Sequence, residues 1–326
     1  MSTKEEILKI LEINRESSIS GQALASSLNI SRTAVWKGIK ALKDEGYAIE
    51  SVTGKGYCLK SESDLLSAEG IALALNDPDI NLIVLKTVGS TNQEAKTRAI
   101  AGAAHKTVVL SEEQTAGKGR MGRSFFSPNQ TGIYMSLILK PDLAAADAVL
   151  ITAGAAVGVS RGIIKATGLE TQIKWVNDVY YQNKKICGIL TEAGTDFESG
   201  MLSYLIIGIG INVFSPEHDF PGEISGTAAS LFNKKPDSLT RNRLVAEIIN
   251  DVLKICDNLA DRSFIEEYRK RSLVIGHQID VIRRNQKSRQ ARVLDIDENG
   301  GLIVEYENNE RDILHSGEIS IRKKEQ

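Results

Sequence analysis

The sequence predicts an α+β protein in three parts. Three observations lead there. The chain starts with a helix-turn-helix-like pattern that ends in a hairpin. Its middle carries strand-length apolar runs, two of them joined by a tight turn that makes the sheet partly antiparallel. Its end alternates short apolar runs with turns. The parts are residues 1–62, 67–272 and 273–326, with a polar linker at 61–66.

In the first part, Ile7, Leu8 and Leu11 fall on one face of a helix. Ser20 is placed to cap a second helix carrying Leu24 and Leu28, which Asn29 closes. Ser31 is placed to cap a third over 31–45, with Val35, Ile39 and Leu42 inward, and Gly46 stops it. Residues 47–51 and 57–59 then form a wing around Thr53-Gly54-Lys55-Gly56. Arg32, Thr33, Trp36, Lys37 and Lys40 point outward from the third helix. In this motif the first turn of that helix addresses base edges, and later cations meet phosphates. The predicted DNA-contacting set is Gln22, Ser31, Arg32, Thr33, Trp36, Lys37, Lys40 and Lys55. A plainer alternative is an interaction domain with a solvated charged helix, since residues 1–60 carry nine Lys/Arg against seven Asp/Glu.

In the middle part, runs at 82–88, 107–110, 133–139, 172–176, 186–191 and 202–213 read as strands, with an alanine-rich helix near 147–165. Residues 179–182 and 185–191 flank Asn183-Lys184, a tight hairpin that favours α+β over a doubly wound parallel sheet. Gly208-Ile209-Gly210 is followed by Val213 where a dinucleotide fingerprint needs glycine. A helical stretch over 241–272 closes this part. Beyond His277, runs at 279–282, 291–296, 302–306, 311–314 and 319–321, with the turn Asn299-Gly300-Gly301, suggest a small barrel.

A length of 326 residues leaves room for two or three domains, and 42% hydrophobic with 25% charged residues is ordinary for a globular chain. The net charge of -2 excludes a globally basic coat, so any nucleic-acid contact is local. Cys58, Cys187 and Cys256 are widely spaced and read as reduced thiols; with four scattered histidines they give no metal-site spacing. The start lacks an apolar signal core, and no apolar run reaches the roughly 18 residues of a membrane helix. A cytoplasmic protein with no membrane partner is expected.

The chemistry concentrates in two segments. Gly117-Lys118-Gly119-Arg120-Met121-Gly122-Arg123 alternates glycines with cations, so backbone amides and positive charge can surround a phosphorylated anion. It is not a P-loop, because Glu112 and Gly119 stand where that motif needs glycine and Ser/Thr. Lys174-Trp175-Val176-Asn177-Asp178, followed by Lys184-Lys185-Ile186-Cys187-Gly188-Ile189-Leu190, supplies further cations and an Asn-Asp pair on strands.

With Ser90-Thr91-Asn92 upstream, these segments resemble the biotin–protein ligases: the first is similar to that family's biotinyl-adenylate loop, the second to its Lys-Trp-Pro-Asn-Asp motif. The helix-turn-helix start narrows the resemblance to the bifunctional biotin–protein ligase and biotin operon repressors, over nearly the whole chain. The resemblance implies a class II synthetase-like central domain and an SH3-like C-terminal domain. It implies two steps: biotin and ATP give biotinyl-5′-adenylate, then a carrier lysine takes the biotinyl group. The first brings a carboxylate to a polyanion, so cations placed beforehand relieve the repulsion.

Matching residue by residue, the resemblance makes Lys185, Lys118 and Arg120 the catalytic cations. It places Ser90, Thr91, Asn92 and Gln114 on the ureido ring. Gly117, Gly119, Gly188, Leu190, Gly208 and Gly210 line the rest of the biotin site, with packing glycines as the plainer reading. Arg123, Asn177, Asp178 and Asn212 fall near the adenylate; Asp178 is a candidate Mg2+ ligand, direct or through water. Phe214 or Phe220 is a candidate to stack on adenine. Ser90 could instead be only a helix cap, and Trp175 only core. Lys118 replaces an arginine of many members, and Val176 replaces the motif's proline. The implied partners are the biotin carboxyl carrier protein of acetyl-CoA carboxylase and operator DNA, bound as a homodimer with biotinyl-5′-AMP as corepressor. Three alternatives stand beside this: a ligand sensor without ligase activity, a ligase without regulation, and a lipoate ligase, whose motifs leave Gln114 and the basic run unexplained.

Overall fold

A computed structural model describes residues 2–141, 148–195, 201–236, 239–282, 287–315 and 318–321. Helix α1 (Thr3–Ile13) opens with a capping box between Ser2 and Glu5. Ser20 caps α2 (Gly21–Leu28) through the Ala23 amide, and Asn29 ends it in the left-handed region. Ser31 caps α3 (Arg32–Asp44) through the Ala34 amide. The wing pairs β1 (Ile49–Val52) with β2 (Gly56–Leu59), and Ile7, Leu8, Leu11, Leu24, Val35, Ile39 and Leu42 form a core separate from the rest.

The linker is pinned rather than loose. Asp64 accepts from the Arg241 backbone amide and Nε (2.8 and 2.9 Å), and the Leu66 amide donates to Glu112. A short helix α4 (Ala68–Ala72) follows.

The central sheet comprises β3 (Asn81–Val88), β4 (Thr107–Gln114), β5 (Gly132–Leu139), β6 (Gln172–Lys174), β7 (Asp178–Tyr181), β8 (Lys184–Thr195) and β9 (Leu202–Asn212), in the order β3-β4-β5-β9-β8-β7-β6. Among the described strand pairs of this sheet, β3–β4 is parallel and the rest are antiparallel. Helix α5 (Thr91–Ile100) covers one face through Ala95 and Ala99 on Val109, Ile138 and Ile206. Helices α6 (Ala148–Thr167) and α7 (Arg241–Cys256) pack with the alternate residues, including Leu137, Leu139 and Ile207, in the main core.

Four expectations need correction. Residues 241–272 form two helices, α7 and α8 (Ser263–Lys270), because Asp257 caps the first and the Asp261 carboxylate accepts from the Ser263 amide. The hairpin turns on Gln182-Asn183, both left-handed (φ 49 and 61), one residue earlier than read. The 172–176 run stops as a strand at Lys174, leaving Trp175 and Val176 buried in the loop to β7. Val149–Thr167 is long and apolar enough to cross a membrane by length and composition, against the expectation of no such run, but 72% of it is buried within the fold. Asp147, where that helix was expected to begin, lies outside the described residues.

The C-terminal part is a five-stranded antiparallel sheet of β10 (Gln278–Ile282), β11 (Arg289–Ile296), β12 (Leu302–Tyr306), β13 (Arg311–Leu314) and β14 (Glu318–Ile321), in the order β13-β12-β11-β10-β14. It docks on the central domain where Trp175 Nε1 donates to the Gly300 carbonyl at 2.9 Å.

Candidate active site and nucleic-acid interface

The face of the sheet under α5 carries a glycine gap. Strand alternation puts Gly188, Leu190 and Glu192 of β8 on one face with their β9 partners Gly210, Gly208 and Ile206. A Cβ on Gly208 would come within 1.9 Å of Asn92 Oδ1, so the glycine lets α5 approach the sheet. The result is a slot of about 20 Å³ lined by Ser90, Thr91, Asn92, Gln114, Lys118, Phe125, Gly188, Leu190, Gly208 and Gly210. Ser90 holds the cap position of α5, makes no side-chain cap bond and lines the slot.

The slot's polar groups are joined. Gln114 Oε1 accepts from the Thr91 amide (2.8 Å) and hydroxyl (3.1 Å), and its Nε2 donates to Ser127 Oγ (2.8 Å). Ser136 Oγ on β5 lies 2.9 Å from Thr91 Oγ1 and 2.7 Å from Asn92 Oδ1. Asn92 Nδ2 donates to Glu192 Oε2 (2.8 Å) and to the Leu190 carbonyl (3.3 Å).

Beside the slot lies a larger pocket of about 360 Å³. Lys118, Gly119, Arg120 and Arg123 line it from the glycine-rich loop; Lys174, Trp175, Asn177, Asp178, Lys185 and Asn212 line it from the sheet side. Trp175 is therefore both core and wall. The loop is folded back on itself: the Gly119 amide donates to the Arg123 carbonyl (2.7 Å) and the Phe125 amide to the Gly117 carbonyl (2.9 Å). Gly117 is required there, since a Cβ would meet the Phe125 carbonyl at 2.4 Å. Arg120 donates to Asn177 Oδ1 (2.9 Å), whose Nδ2 donates to the Ile189 carbonyl (2.8 Å). Lys118 Nζ donates to Gln93 (2.9 Å), and Lys185 Nζ pairs with Asp178 at 2.7 Å.

Of the adenine candidates, Phe220 lines this pocket and Phe214 is buried in the main core. Sequence reasoning missed Ser136, Glu192, Phe125, Phe126, Tyr180 and Ile319. Burial, with the Asp178 carboxylate nearby, pushes the Tyr180 phenol up to about 12, so it stays protonated at neutral pH. Burial likewise raises the Cys187 thiol, which keeps it unreactive. Among the described residues no group of three His, Cys, Asp or Glu could hold a metal.

In the N-terminal domain, α3 and the wing bound a cleft of about 960 Å³ lined by Gln22, Arg32, Thr33, Trp36, Lys40 and Lys55. Trp36 is 53% exposed, with Lys40 Nζ 5.7 Å from its ring centre. Lys37 is exposed on α3 outside the cleft lining, and Ser31 is spent on the cap.

A mixed sheet carrying a glycine slot, a cation-lined pocket and a winged helix-turn-helix is the architecture of a biotin- or lipoate-type protein ligase fused to a DNA-binding domain. Residues 84–212 match the biotin/lipoate A/B protein ligase family, residues 3–58 a helix-turn-helix domain, and residues 274–322 the biotin protein ligase C-terminal domain. The chain belongs to the family of bifunctional biotin ligase/repressors. It is 38% identical over 248 residues to the bifunctional ligase/repressor BirA of Bacillus subtilis (strain 168), 76% of each chain. It is 28% identical over 309 residues to its counterpart in Escherichia coli (strain K12), 94% of each. The biotin protein ligase from Aquifex aeolicus, solved in complex with biotin and ATP, superposes with a TM-score of 0.62 at 27% identity, over 74% of this chain and 99% of that one.

Proposed function

We infer that this chain is an ATP-dependent biotin–protein ligase and biotin operon repressor. It makes biotinyl-5′-AMP from biotin and ATP and transfers biotin to a lysine of a carboxylase carrier domain. With biotinyl-5′-AMP as corepressor it binds operator DNA. The observation that carries the residue assignments is the adjacency of the slot and the cation-lined pocket, which share Lys118, Phe125, Gly188 and Leu190.

The ureido ring occupies the slot among Ser90, Thr91, Asn92 and Gln114, whose hydroxyls and amides suit a ring with two N–H donors and a carbonyl. The valeryl chain passes Gly188, Leu190, Gly208 and Gly210, with Gly117 and Gly119 in the loop above. This delivers its carboxylate beneath Lys118, Arg120 and Lys185, where ATP presents its α-phosphorus. These cations offset the repulsion between the two anions before reaction. Arg123, Asn177, Asp178 and Asn212 hold the nucleotide side, and Phe220 faces the base.

Asp178 engages Lys185 before ATP arrives. Magnesium enters as part of the nucleotide substrate, held mainly by its phosphates, with Asp178 the carboxylate beside it. The acyl adenylate is already activated, so the protein needs only to orient the carrier lysine and exclude water.

Residues 1–62, 67–272 and 273–326 divide the labour as DNA reader, ligase and docked cover. A homodimer on DNA fits the two half-sites such motifs usually read. Cytoplasmic action fits its three free cysteines. The test is incorporation of labelled biotin into the biotin carboxyl carrier domain, with and without ATP, in wild type and Lys185→Ala. ATP-dependent transfer lost in the variant is expected. Tight biotin binding without transfer would leave only a biotin-sensing regulator.

A further inference from the structure

We propose that Glu192 is a positioning residue that fixes the proton direction of the slot and so its preference for a ring that donates N–H. The inference rests on the placement of the ureido ring against Thr91 proposed above. A carboxylate accepts hydrogen bonds and does not donate them. Glu192 Oε2 at 2.8 Å and the Leu190 carbonyl at 3.3 Å are both acceptors, so they turn the Asn92 NH2 toward themselves. Asn92 Oδ1 is thereby presented to Ser136, 2.7 Å away, and claims that hydroxyl's one proton.

Ser136 and Thr91 have two hydroxyl protons between them for three contacts: Ser136–Asn92, Ser136–Thr91 and Thr91–Gln114. With the Ser136 proton committed to Asn92, the Thr91 proton is used inside the network, and Thr91 Oγ1 offers lone pairs to the slot. With the Asn92 amide reversed, Ser136 would be free to donate to Thr91 and occupy the lone pair that a ring N–H needs. Glu192 lies on the slot face of β8 opposite Ile206, outside the slot lining, and is linked to Thr91 through Asn92 and Ser136.

The experiment is steady-state ligation with biotin and ATP varied separately, using Glu192→Ala, Glu192→Gln, Ser136→Ala, the Glu192→Ala/Ser136→Ala double variant and Thr91→Val. Glu192→Ala is expected to raise KM for biotin about tenfold, the effect of one misdirected hydrogen bond, with kcat and KM for ATP within about twofold. Glu192→Gln keeps a carbonyl acceptor and is expected to restore most of the loss. Ser136→Ala is expected to add little to Glu192→Ala, because both break one relay.

A normal biotin KM in Glu192→Ala with a raised one in Thr91→Val would overturn the role of Glu192 and leave the slot standing. Normal values in both would remove the slot placement itself, and the inference with it. A parallel loss of kcat and both KM values, unrescued by Gln, would make Glu192 a structural or charge residue and overturn the proposal.

Discussion

The Phe125 ring fills the space in front of Gly210: a Cβ on Gly210 would lie 2.5 Å from its Cε1 atom. The remaining slot, about 20 Å³, has room for a water and little more. A bicyclic ring placed as proposed would need more room than this, and the Phe125 ring is the side chain in its way. The backbone of Phe125 is held at both ends, its amide on Gly117 and its carbonyl by Ser127, so side-chain rotation is the available movement. Phe125→Ala is expected to raise the association rate of biotin, since entry that waits on a conformational change is slower than entry to an open site. Stopped-flow binding checks it, and an unchanged rate would show that the ring does not obstruct entry.

The α6–α7 contact depends on missing side chains. Cβ atoms added at Gly158 and Gly162 would meet the backbones of Val252 and Ile248 at 2.8 and 2.6 Å. Neither backbone can yield without separating the helices. Gly158→Ala is expected to cost about 1–3 kcal/mol and Gly158→Leu more, as overpacking does in a dense core. Denaturant melts measure this, and a stability equal to wild type in Gly158→Ala would mean that the helices can part cheaply.

Arg241 ties three segments together. Its side chain is almost fully buried, yet it pairs with Asp64 of the linker (2.9 Å) and Glu112 of β4 (2.8 Å), and donates to the Gly132 carbonyl of β5 (2.9 Å). Removing the cation strands two carboxylates in a dry setting. Arg241→Leu is expected to lose about 3–5 kcal/mol of stability, the cost of breaking a buried ion pair from one side. A Tm within one or two degrees of wild type would show that water reaches these carboxylates and replaces the arginine.

How much was legible in the sequence follows from how local each signal is. Ser20, Ser31 and Asn29 act within one turn of their own helices, so the winged helix-turn-helix could be read in detail. The loop cations and the Asn-Asp pair were legible as motifs. Ser136 was not, because β5 is buried at all eight positions and shows no alternation that would single out the slot face. Glu192 was missed because β8 was read as ending at Thr191, whereas it runs to Thr195. The break between α7 and α8 was missed because no Pro or Gly marks it; Asp257 and Asp261 end and restart the helix through their own bonds.

The exposed face of α3 and the wing would separate base contacts from phosphate contacts if they bind DNA as proposed. Arg32 and Thr33 open α3, while Lys37 and Lys40 lie further along it, both exposed, and Lys55 sits at the wing tip. Arg32→Ala is expected to lower operator affinity by about 1–3 kcal/mol and to relax specificity at one base position, as loss of a base-edge contact does. Lys37→Ala and Lys55→Ala are expected to weaken all sequences alike, each lowering the slope of log affinity against log salt by about one. None of the three should change biotin transfer, since the N-terminal core is separate from the cluster beneath the ligase sheet. Operator titrations at several salt concentrations, run beside the transfer assay, distinguish the two kinds of contact. Equal salt slopes in Lys37→Ala and wild type would remove that lysine from the phosphate contacts.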